Sequence, residues 1–389
     1  MIKLLFVIPS LRCGGAERSL VNLLNELSPQ QYSIDLMLFR QKGEFLSLLP
    51  DYVHVIDTPD DMKRLYGPLS KAGKFAPVKL FGTLISRVLD GKASEGHMMF
   101  RWKHFYSKAI APMPERYDTA IAYLEGESAY YICDFVNAAR RVVWIHSDYS
   151  KLGQNPEEER PYFEKADAIV TVSEQCAEVM KQTFPKLKDK IFMLQNITSA
   201  AAVRKLAGDD VPEEYSKDTF TIASVGRLAE AKGFDIGIEA AAILKKRGAA
   251  FEWFIIGDGE MRESLRKQIE DSGLQEQVHL LGLRANPYPY MKSAQLLVQP
   301  SRFEGKSIVV DEAKILGTPV VITDYSTARD QIDHGRNGVI VKMNAEAVAE
   351  GIFELMNDPE QRKRIHENQL SEDNDNVSEV LKYQSLFDQ

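Results

Sequence analysis

Residues 304–323 read EGKSIVVDEAKILGTPVVIT, a polar loop followed by an apolar helix and a buried strand. Ser307 is a typical helix N-cap, and Gly317 with Pro319 behind it is a typical helix end, so the pattern predicts a helix over 308–316. The run VVIT then continues as a strand. Because the preceding LVQPS ends another strand, the stretch indicates a strand–helix–strand unit of a parallel sheet.

The same alternation covers the chain in two runs, separated by a polar stretch without periodicity at 207–218. In the first run, KLLFVIPSL, RCGGAERS and LVNLLNEL read as strand, glycine turn and helix, and further strands are predicted at 33–40, 53–57, 119–124, 141–146, 168–173 and 191–196. In the second run, the predicted strands are FTIASVG, FEWFIIG, VHLLGL, AQLLVQP, TPVVIT and GVIVK, and the predicted helices are 233–247, 260–272, 287–293 and 308–316. The sequence therefore predicts an α/β protein of two doubly wound domains, with the boundary near 197–218.

The composition is typical of a soluble globular enzyme, with 389 residues, 44% hydrophobic and 27% charged. A net charge of −8 argues against a general polyanion binder, and no nucleic-acid motif is present. The cysteines Cys13, Cys133 and Cys176 lack metal-ligand spacing and favour a reducing cytoplasm. The N-terminal run LLFVIPSL is too short for a membrane span and lacks a cleavage site, so no targeting segment is predicted.

Two carboxylates, Glu304 and Glu312, enclose the start of the helix over 308–316. Glu304 follows a strand, at the edge where open α/β sheets bind ligands. Free backbone N–H groups at Lys306, Ser307 and Ile308, together with the helix dipole, would favour a phosphate. The spacing alone is equally compatible with two solvated surface charges, which is the simpler interpretation until the context is considered.

Arg227 and Lys232 supply that context in the segment SVGRLAEAKGFD, directly after the strand that ends at Gly226. An arginine offers a planar fork to phosphate oxygens and a lysine a point charge, so the two could neutralise a diphosphate leaving group. Taken alone, the segment also fits two solvated basic residues in a loop.

Glycine turns follow strands at three other places: CGGAERS, with Gly14 and Gly15, GDGEMRES from Gly257, and GLRANPYPY at 282–290. Each suits a close backbone approach to a phosphate or sugar, although a tight turn alone would also need the glycines. The absence of a full GxGxxG argues against a dinucleotide cofactor.

Taken together, the order GGAE, VGRLxxxKG, the glycine turns, PSRFEGxxxxxxEA and GTPVV closely resembles family-4 glycosyltransferases of the GT-B fold, over nearly the whole chain. The resemblance implies two Rossmann-like domains facing a central cleft. It implies an acceptor-side domain over 1–198, with 373–389 packing back on it, and a nucleotide-sugar domain over 199–372. Enzymes of this family move a sugar from a nucleotide-diphosphate sugar to an acceptor with retention of configuration, without a bound metal or other cofactor.

Residue by residue, the resemblance assigns catalytic roles to Arg227, Lys232, Glu304 and His146, and donor binding to Gly14, Gly15, Gly226, Gly257, Leu283, Arg284, Gly305, Lys306, Ser307, Ile308 and Glu312. The basic pair would grip the donor diphosphate, Glu304 would face the sugar hydroxyls, and Glu312 would bind the ribose. Lys306 and Ser307 depart from the common aromatic-glycine pair. That variant resembles bacterial enzymes of capsule and exopolysaccharide assembly, and the expected donor is a UDP-sugar.

Three polar residues of the first run also follow strands. His146, in VVWIHSDYS, matches by resemblance the histidine that reaches the donor sugar, whereas a hydrogen-bonded core histidine is the alternative. Glu125 and Glu127, in YLEGES, could line the acceptor side, but surface charge is the simpler interpretation.

A basic insertion lies between Met62 and Lys108. It contains ten basic residues, Lys63, Arg64, Lys71, Lys74, Lys79, Arg87, Lys92, Arg101, Lys103 and Lys108, against the two acidic residues Asp90 and Glu95. Apolar and cationic side chains are interleaved, as in helices at an anionic membrane surface, although amphipathic helices packed on the first domain would look alike.

The expected function is that of a glycosyltransferase of bacterial surface polysaccharide synthesis. It would be cytoplasmic or peripheral at the inner face of the plasma membrane, with a lipid-linked saccharide acceptor and no nucleic-acid partner. A nucleotide-sugar epimerase of related fold and a non-catalytic nucleotide-sugar binding protein are the alternatives.

Overall fold

Several strands in both sheets are continuous apolar runs rather than alternating ones, because helices cover both faces of a parallel sheet. In Ile2–Ile8 and Val320–Thr323, consecutive residues are buried on both faces. The computed structural model describes residues 1–12, 14–89, 94–216, 219–372 and 374–388, and of residues 86–89 and 94–97 it describes the backbone. Cys13 and residues 217 and 218 of the polar stretch therefore lie outside the described residues.

The chain forms two compact units. The first contains residues 1–12, 16–195 and 379–388, and the second contains most of residues 196–378 together with Gly14 and Gly15. The units divide after Gln195, whereas the sequence analysis placed the boundary after residue 198. The side chain of Asn376 explains the position, since it accepts a hydrogen bond from Thr198 N and donates one to Asn196 O, each at 2.7 Å.

The first unit is a seven-stranded parallel sheet with strand order β3-β2-β1-β4-β5-β6-β7 among the described residues. Its elements are β1 (Ile2–Ile8), α1 (Gly15–Glu26), β2 (Tyr32–Leu38), β3 (Val53–Val55), α2 (Asp60–Tyr66), α3 (Ala76–Leu89), α4 (Ser94–Arg101), β4 (Arg116–Ala122), α5 (Glu127–Phe135), β5 (Asn137–Ile145), α6 (Pro156–Lys165), β6 (Ala168–Thr171), α7 (Glu174–Thr183) and β7 (Ile191–Met193). The strands predicted from the apolar runs are all present.

The second unit is a six-stranded parallel sheet with order β10-β9-β8-β11-β12-β13, again counted over the described part of the chain. Its elements are α8 (Ala200–Ala207), β8 (Phe220–Val225), α9 (Phe234–Lys246), β9 (Phe251–Ile256), α10 (Arg262–Asp271), β10 (Val278–Gly282), α11 (Tyr288–Ser293), β11 (Leu296–Gln299), α12 (Ile308–Leu316), β12 (Val320–Thr323), β13 (Val339–Val341), α13 (Ala345–Asn357) and α14 (Pro359–Ser371). Two doubly wound α/β domains in succession confirm the predicted GT-B fold class.

The strand order of each sheet reverses once, between β1 and β4 in the first unit and between β8 and β11 in the second. Ligands of doubly wound sheets bind at the carboxyl ends of the strands that flank such a reversal. Arg227 follows β8 and Glu304 follows β11, so both lie at the reversal of the second sheet.

A last helix, α15 (Val380–Phe387), belongs to the first unit. The ring of Tyr383 stacks on Trp144 with centroids 5.5 Å apart, and Phe387 packs edge-on against Phe6 at 5.8 Å. The Tyr383 hydroxyl donates a hydrogen bond to Gln195 O at 2.8 Å. Aromatic packing and this bond fix the C-terminal helix on its sheet.

The polar stretch at 207–218 is not a free linker. Helix α8 precedes it, and Tyr215 within it is buried against Phe254, with ring centroids 4.7 Å apart. The Tyr215 hydroxyl donates a hydrogen bond to Tyr290 O at 2.9 Å. The sequence analysis missed this packing because a single buried tyrosine leaves no periodic signal.

The basic insertion packs on the first unit through apolar side chains of its helices. Met62, Leu65, Trp102 and Tyr106 lie in the core of that unit. The side chains of Arg87 and Glu95, like residues Asp90 and Lys92, lie outside the described part of the chain. Among the helices that the structure describes, none is long and apolar enough to cross a membrane.

Candidate functional site: a carboxylate and lysine pair in the second unit

Lys232 and Glu304 form an ion pair in the second unit. Lys232 Nζ lies 2.7 Å from Glu304 Oε1 and 2.9 Å from Oε2, and Ser301 Oγ donates a hydrogen bond to Oε1 at 2.7 Å. The backbone oxygen of Glu304 accepts a hydrogen bond from Thr327 Oγ1 at 3.0 Å. Glu304 is only 9% exposed, so it is not a solvated surface charge, and its carboxylate is held in one orientation.

Glu312 is likewise buried, at 3% exposure, on helix α12. Its Oε1 accepts a hydrogen bond from the hydroxyl of Tyr288 at 2.6 Å. The interpretation of Glu304 and Glu312 as solvated charges is therefore wrong for both. Two buried carboxylates on the loop and the helix of one strand–helix unit offer acceptors for ligand hydroxyl groups.

The backbone at the start of α12 corrects one prediction. Ser307 N–H, expected to be free for a phosphate, donates to Gln331 Oε1 at 2.8 Å, and Gln331 Nε2 donates to Ser307 O at 2.8 Å and to Asp311 Oδ1 at 2.9 Å. Ser307 is the N-cap residue, but its hydroxyl makes no capping bond. The buried Ser307 Oγ has no hydrogen-bond partner among the described residues. Gln331 thus fixes the backbone at Ser307. The hydroxyl is the polar group of Ser307 that remains available.

The neighbouring residues of this loop are also held. Lys306 pairs with Asp311 at 3.3 Å and its side chain is 11% exposed. The same Asp311 receives the bond from Gln331, so one carboxylate connects Lys306 to the segment that clamps Ser307. Ile308, the first residue of α12, is buried. Gly305 lies in the loop between Glu304 and α12.

Arg227 lies apart from the ion pair of Lys232. Its Nη2 is 3.0 Å from Glu260 Oε2, and both side chains are more than half exposed. An exposed pair of this kind contributes about 0–1 kcal/mol, so Arg227 can leave Glu260 for a bound anion at little cost. Glu260 follows the GDG turn and was not among the predicted site residues.

The glycine turns of the second unit pack backbone against backbone. Gly257 has φ +149, and a Cβ on it would lie 1.8 Å from Gly226 O. Gly226 N–H donates to Ile256 O and Gly257 N–H to Gly282 O, each at 3.0 Å. Gly257 is therefore required by close approach, and it fixes the loop that carries Arg227.

Arg284 is bound within its own unit. Its Nη1 donates to Leu281 O at 2.7 Å, and its Nη2 lies 3.3 Å from Glu214 Oε1. The hydroxyl of Tyr290 accepts from Arg284 Nε at 3.2 Å. These bonds fix the turn at Leu283 that the resemblance placed in the base pocket. The partner Glu214 comes from the polar stretch at 207–218.

His146 directly follows β5 in the first unit and is partly buried. Its backbone N–H donates to Glu125 Oε2 at 3.0 Å, while the ring Nε2 is buried without a hydrogen-bond partner in the described structure. Burial lowers the pKa of the imidazole to about 3, so the ring is neutral. Burial likewise raises the pKa of Glu125.

The interpretation of Glu125 and Glu127 as surface charges is wrong. Glu127 is 8% exposed and pairs with Arg101 at 2.7 Å, and Glu125 holds the backbone of His146. Across the residues that the structure describes, no group of three or more His, Cys, Asp or Glu side chains could hold a metal ion.

The candidate site residues of the second unit lie in a stretch that matches a known protein family. Residues 209–371 match the family described as Glycosyl transferases group 1, a stretch that includes Arg227, Lys232, Glu304 and Glu312. This part of the chain is therefore similar to group 1 glycosyl transferases.

Curated relatives of this glycosyltransferase domain are themselves glycosyltransferases. The alpha-D-kanosaminyltransferase of Streptomyces kanamyceticus is 31% identical over 217 residues, which cover 54% of this chain and 56% of the relative. A Campylobacter jejuni N-acetylgalactosamine-N,N'-diacetylbacillosaminyl-diphospho-undecaprenol 4-alpha-N-acetylgalactosaminyltransferase is 32% identical over 203 residues, covering 52% of this chain and 54% of the relative. The chain thus spans about half the length of the curated relatives it matches.

Solved structures establish the fold over the whole chain. The crystal structure of Anabaena HepE in complex with UDP-glucose matches with a TM-score of 0.72 and 20% identity, over 100% of both chains. The structure of an S. aureus TarM mutant in complex with UDP matches with a TM-score of 0.70 and 14% identity, also over 100% of both chains. Both likenesses support the GT-B architecture of this chain.

The residues of the glycosyltransferase domain that sequence reasoning missed are Gln331, Ser301 and Tyr288. Gln331 lies 24 positions from its partner Ser307, and Tyr288 lies 24 positions from Glu312. No local spacing connects such pairs. Ser301 carried a signal, since it stands three residues before Glu304 in the strand-end loop.

The buried neutral His146 predicts how stability depends on pH. Its pKa is about 3 in the folded chain against the ordinary histidine value of 6.5, so below about pH 6.5 the unfolded chain binds a proton that the folded chain does not. The free energy of unfolding should therefore fall as pH decreases through this range, more steeply in the unmodified protein than in His146→Gln. Urea denaturation of both proteins at about pH 7 and pH 5 measures the difference. Equal slopes would contradict a neutral His146.

Proposed function

We propose that the protein is a retaining glycosyltransferase that moves a sugar from a nucleotide-diphosphate sugar, a UDP-sugar, to a saccharide acceptor in bacterial surface polysaccharide synthesis. The observation that carries this proposal is the Lys232–Glu304 pair at the reversal of the second sheet. A buried carboxylate beside an ammonium group there provides an acceptor for sugar hydroxyls next to a cation for phosphate.

The roles follow from these positions. Arg227 and Lys232 stabilise the negative charge that develops on the diphosphate as its bond to the anomeric carbon breaks. Glu304 accepts hydrogen bonds from sugar hydroxyls, Glu312 from the ribose, and neutral His146 offers Nε2 as an acceptor in the first unit. The acceptor hydroxyl oxygen then bonds to the anomeric carbon on the face that the diphosphate leaves, and its proton passes to the departing diphosphate, which gives retention.

The comparisons support the choice of donor and acceptor. HepE is described in complex with UDP-glucose, and the Campylobacter relative acts on a diphospho-undecaprenol saccharide by its name. A nucleotide-sugar epimerase of related fold would form no glycosidic product, and a non-catalytic binding protein would show no turnover. The four polar residues Arg227, Lys232, Glu304 and Glu312 are all present in the family stretch, which favours a catalyst.

A donor screen tests the proposed function. The protein is incubated with a panel of nucleotide sugars and mixed lipid-linked saccharides, and release of nucleotide diphosphate is measured with and without EDTA. We expect release with one UDP-sugar, at an unchanged rate in EDTA, because Arg227 and Lys232 supply the positive charge that a divalent ion would otherwise provide. Loss of activity in EDTA that manganese or magnesium restores would contradict the metal-independent mechanism. If none of the donors gives release of nucleotide diphosphate, the proposed enzymatic activity is wrong.

The basic insertion is the proposed membrane contact, which would hold the protein peripherally at the cytoplasmic face of the membrane. On α3, the large apolar side chains Leu80, Phe81, Leu84 and Ile85 are 42%, 57%, 53% and 36% exposed. Positions i, i+1, i+4 and i+5 share one helix face. The exposed cations Lys71 and Lys74 precede this face in the sequence. An apolar helix face flanked by lysines suits an anionic lipid surface.

Vesicle sedimentation checks this contact. Phe81→Ser combined with Leu84→Ser should weaken binding to anionic vesicles about 10-fold or more, because each buried apolar side chain contributes about 1.5–3 kcal/mol. Leu381→Ser, a change at a 64% exposed leucine on α15, is the matched control and should bind like the unmodified protein. If the unmodified protein does not bind anionic vesicles at low salt, the proposed membrane contact is wrong.

A further inference from the structure

A second cluster of charged side chains lies in the first unit, at the carboxyl ends of its central strands. Arg40 follows β2, and its backbone N–H donates to Pro9 O at 2.9 Å, beside the end of β1. Glu127 is the first residue of α5, after β4. Arg101 ends α4 and Lys79 lies on α3. This is the edge of the sheet where doubly wound folds bind ligands.

Contacts of these side chains place the cations next to one another. Arg40 Nε donates to Tyr66 O at 3.1 Å, and Lys79 Nζ donates to the next carbonyl, Gly67 O. The Arg101 guanidinium lies over the ring of Tyr106, 4.8 Å from its centroid, and the Tyr106 and Tyr66 rings meet at 5.4 Å. Lys79 and Arg101 are therefore bonded within the first unit.

The cluster carries more positive than negative charge. In the described part of the chain, one carboxylate, Glu127, pairs with Arg101, at 2.7 Å, whereas Arg40 and Lys79 are bonded to neutral backbone oxygens. Arg101 Nε is buried and has no hydrogen-bond partner among those residues. Burial, and then the charges of Arg40 and Arg101, lower the pKa of Lys79. Lys79 and Arg101 are partly buried and Arg40 is exposed. Neighbouring cations repel one another, most strongly where they are partly buried, and an anion would relieve the repulsion.

We propose that Arg40, Lys79 and Arg101 bind the phosphate or diphosphate group of a lipid-anchored acceptor saccharide. Two guanidinium forks and an ammonium group are the side chains that recognise phosphate oxygens. Lys79 stands directly before Leu80 and Phe81, the exposed apolar residues of α3. A phosphate held at Lys79 would therefore lie where a polar head group joins an acyl or polyprenyl chain. The proposal rests on the proposed glycosyl transfer and names the acceptor class.

Calorimetric titration of inorganic pyrophosphate tests the cluster. The unmodified protein is first saturated with UDP, so that pyrophosphate reports a site other than the donor site. We expect pyrophosphate binding that weakens with salt, and a loss of about 10-fold or more in Arg40→Gln/Lys79→Gln, because the variant loses two cationic hydrogen-bond donors to phosphate oxygens. UDP affinity should be unchanged in the variant.

The matched control is Lys71→Gln/Lys74→Gln, which removes the same charge from two exposed lysines of the insertion and should bind pyrophosphate like the unmodified protein. Equal pyrophosphate affinity in the Arg40/Lys79 variant and the unmodified protein would overturn the proposal, as would absence of pyrophosphate binding to the unmodified protein. If the double variant loses its cooperative melting transition, Lys79→Gln alone makes the same comparison.

Vesicles separate a lipid-borne phosphate from a free one. The protein is sedimented with phosphatidylcholine vesicles that either contain or lack farnesyl diphosphate, and we expect stronger binding to the diphosphate vesicles, lost in Arg40→Gln/Lys79→Gln. Equal binding to both vesicles would overturn the lipid-anchored acceptor. Neither measurement requires turnover, and the titration can be repeated without UDP. Failure of the donor screen or of UDP binding would therefore contradict the proposed function separately from this site.

Discussion

Replacement of Lys232 by alanine should lower glycosyl transfer by about 10²-fold or more, since it removes a charge that stabilises the departing diphosphate. The same change should also lower stability, because it leaves the buried carboxylate of Glu304 without its cation. Loss of the partner of a buried charged group costs on the order of 1–3 kcal/mol. Steady-state rates and urea denaturation of the variant measure the two effects.

Two further variants separate these effects. Lys232→Met/Glu304→Gln removes both charges and should be more stable than Lys232→Ala, yet equally inactive. Arg227→Ala should lose activity to a similar degree with little change in stability, because the Arg227–Glu260 pair is exposed. Near-normal turnover in Lys232→Ala and Arg227→Ala would contradict the proposal that these two residues stabilise the departing diphosphate.

Gly233→Ala should be among the most destabilising single changes in the second unit. Gly233 follows Lys232 and has φ +63, and a Cβ on it would lie 2.0 Å from Pro300 O. The left-handed backbone alone costs an alanine about 1–2 kcal/mol. The collision with a backbone carbonyl adds about 1–3 kcal/mol more, because Gly233 directly precedes α9 and Pro300 directly follows β11, so both backbones are held by packed elements.

Gly273→Ala is the matched control, since Gly273 also has φ +63 but has nothing within 4 Å of the added Cβ. Thermal or urea unfolding of both variants isolates the collision from the backbone strain. We expect Gly273→Ala to lose only the strain and to keep its activity, whereas Gly233→Ala should also displace Lys232 and slow transfer. Equal losses of stability in the two variants would contradict the predicted collision.

The sequence by itself determined the elements and their order. Continuous apolar runs mark strands that are buried on both faces, and local signals such as Ser307 and Gly317 mark where α12 begins and ends. Because the carboxyl ends of parallel strands share one edge, element order alone placed Arg227 and Glu304 at the same edge. The family resemblance added roles that spacing does not contain.

Only the tertiary structure decided which polar groups are paired. The bond between Gln331 and Ser307 occupies an N–H that helix geometry alone leaves free, and the packing of α3 and α4 turns Lys79 and Arg101 inward. Glu127 is buried for the same reason, because it pairs with Arg101 of α4. Local sequence signals extend over one or two helical turns, whereas these pairs join residues 24 and 26 positions apart. Their existence depends on packing, which fixes partners only after the chain has folded.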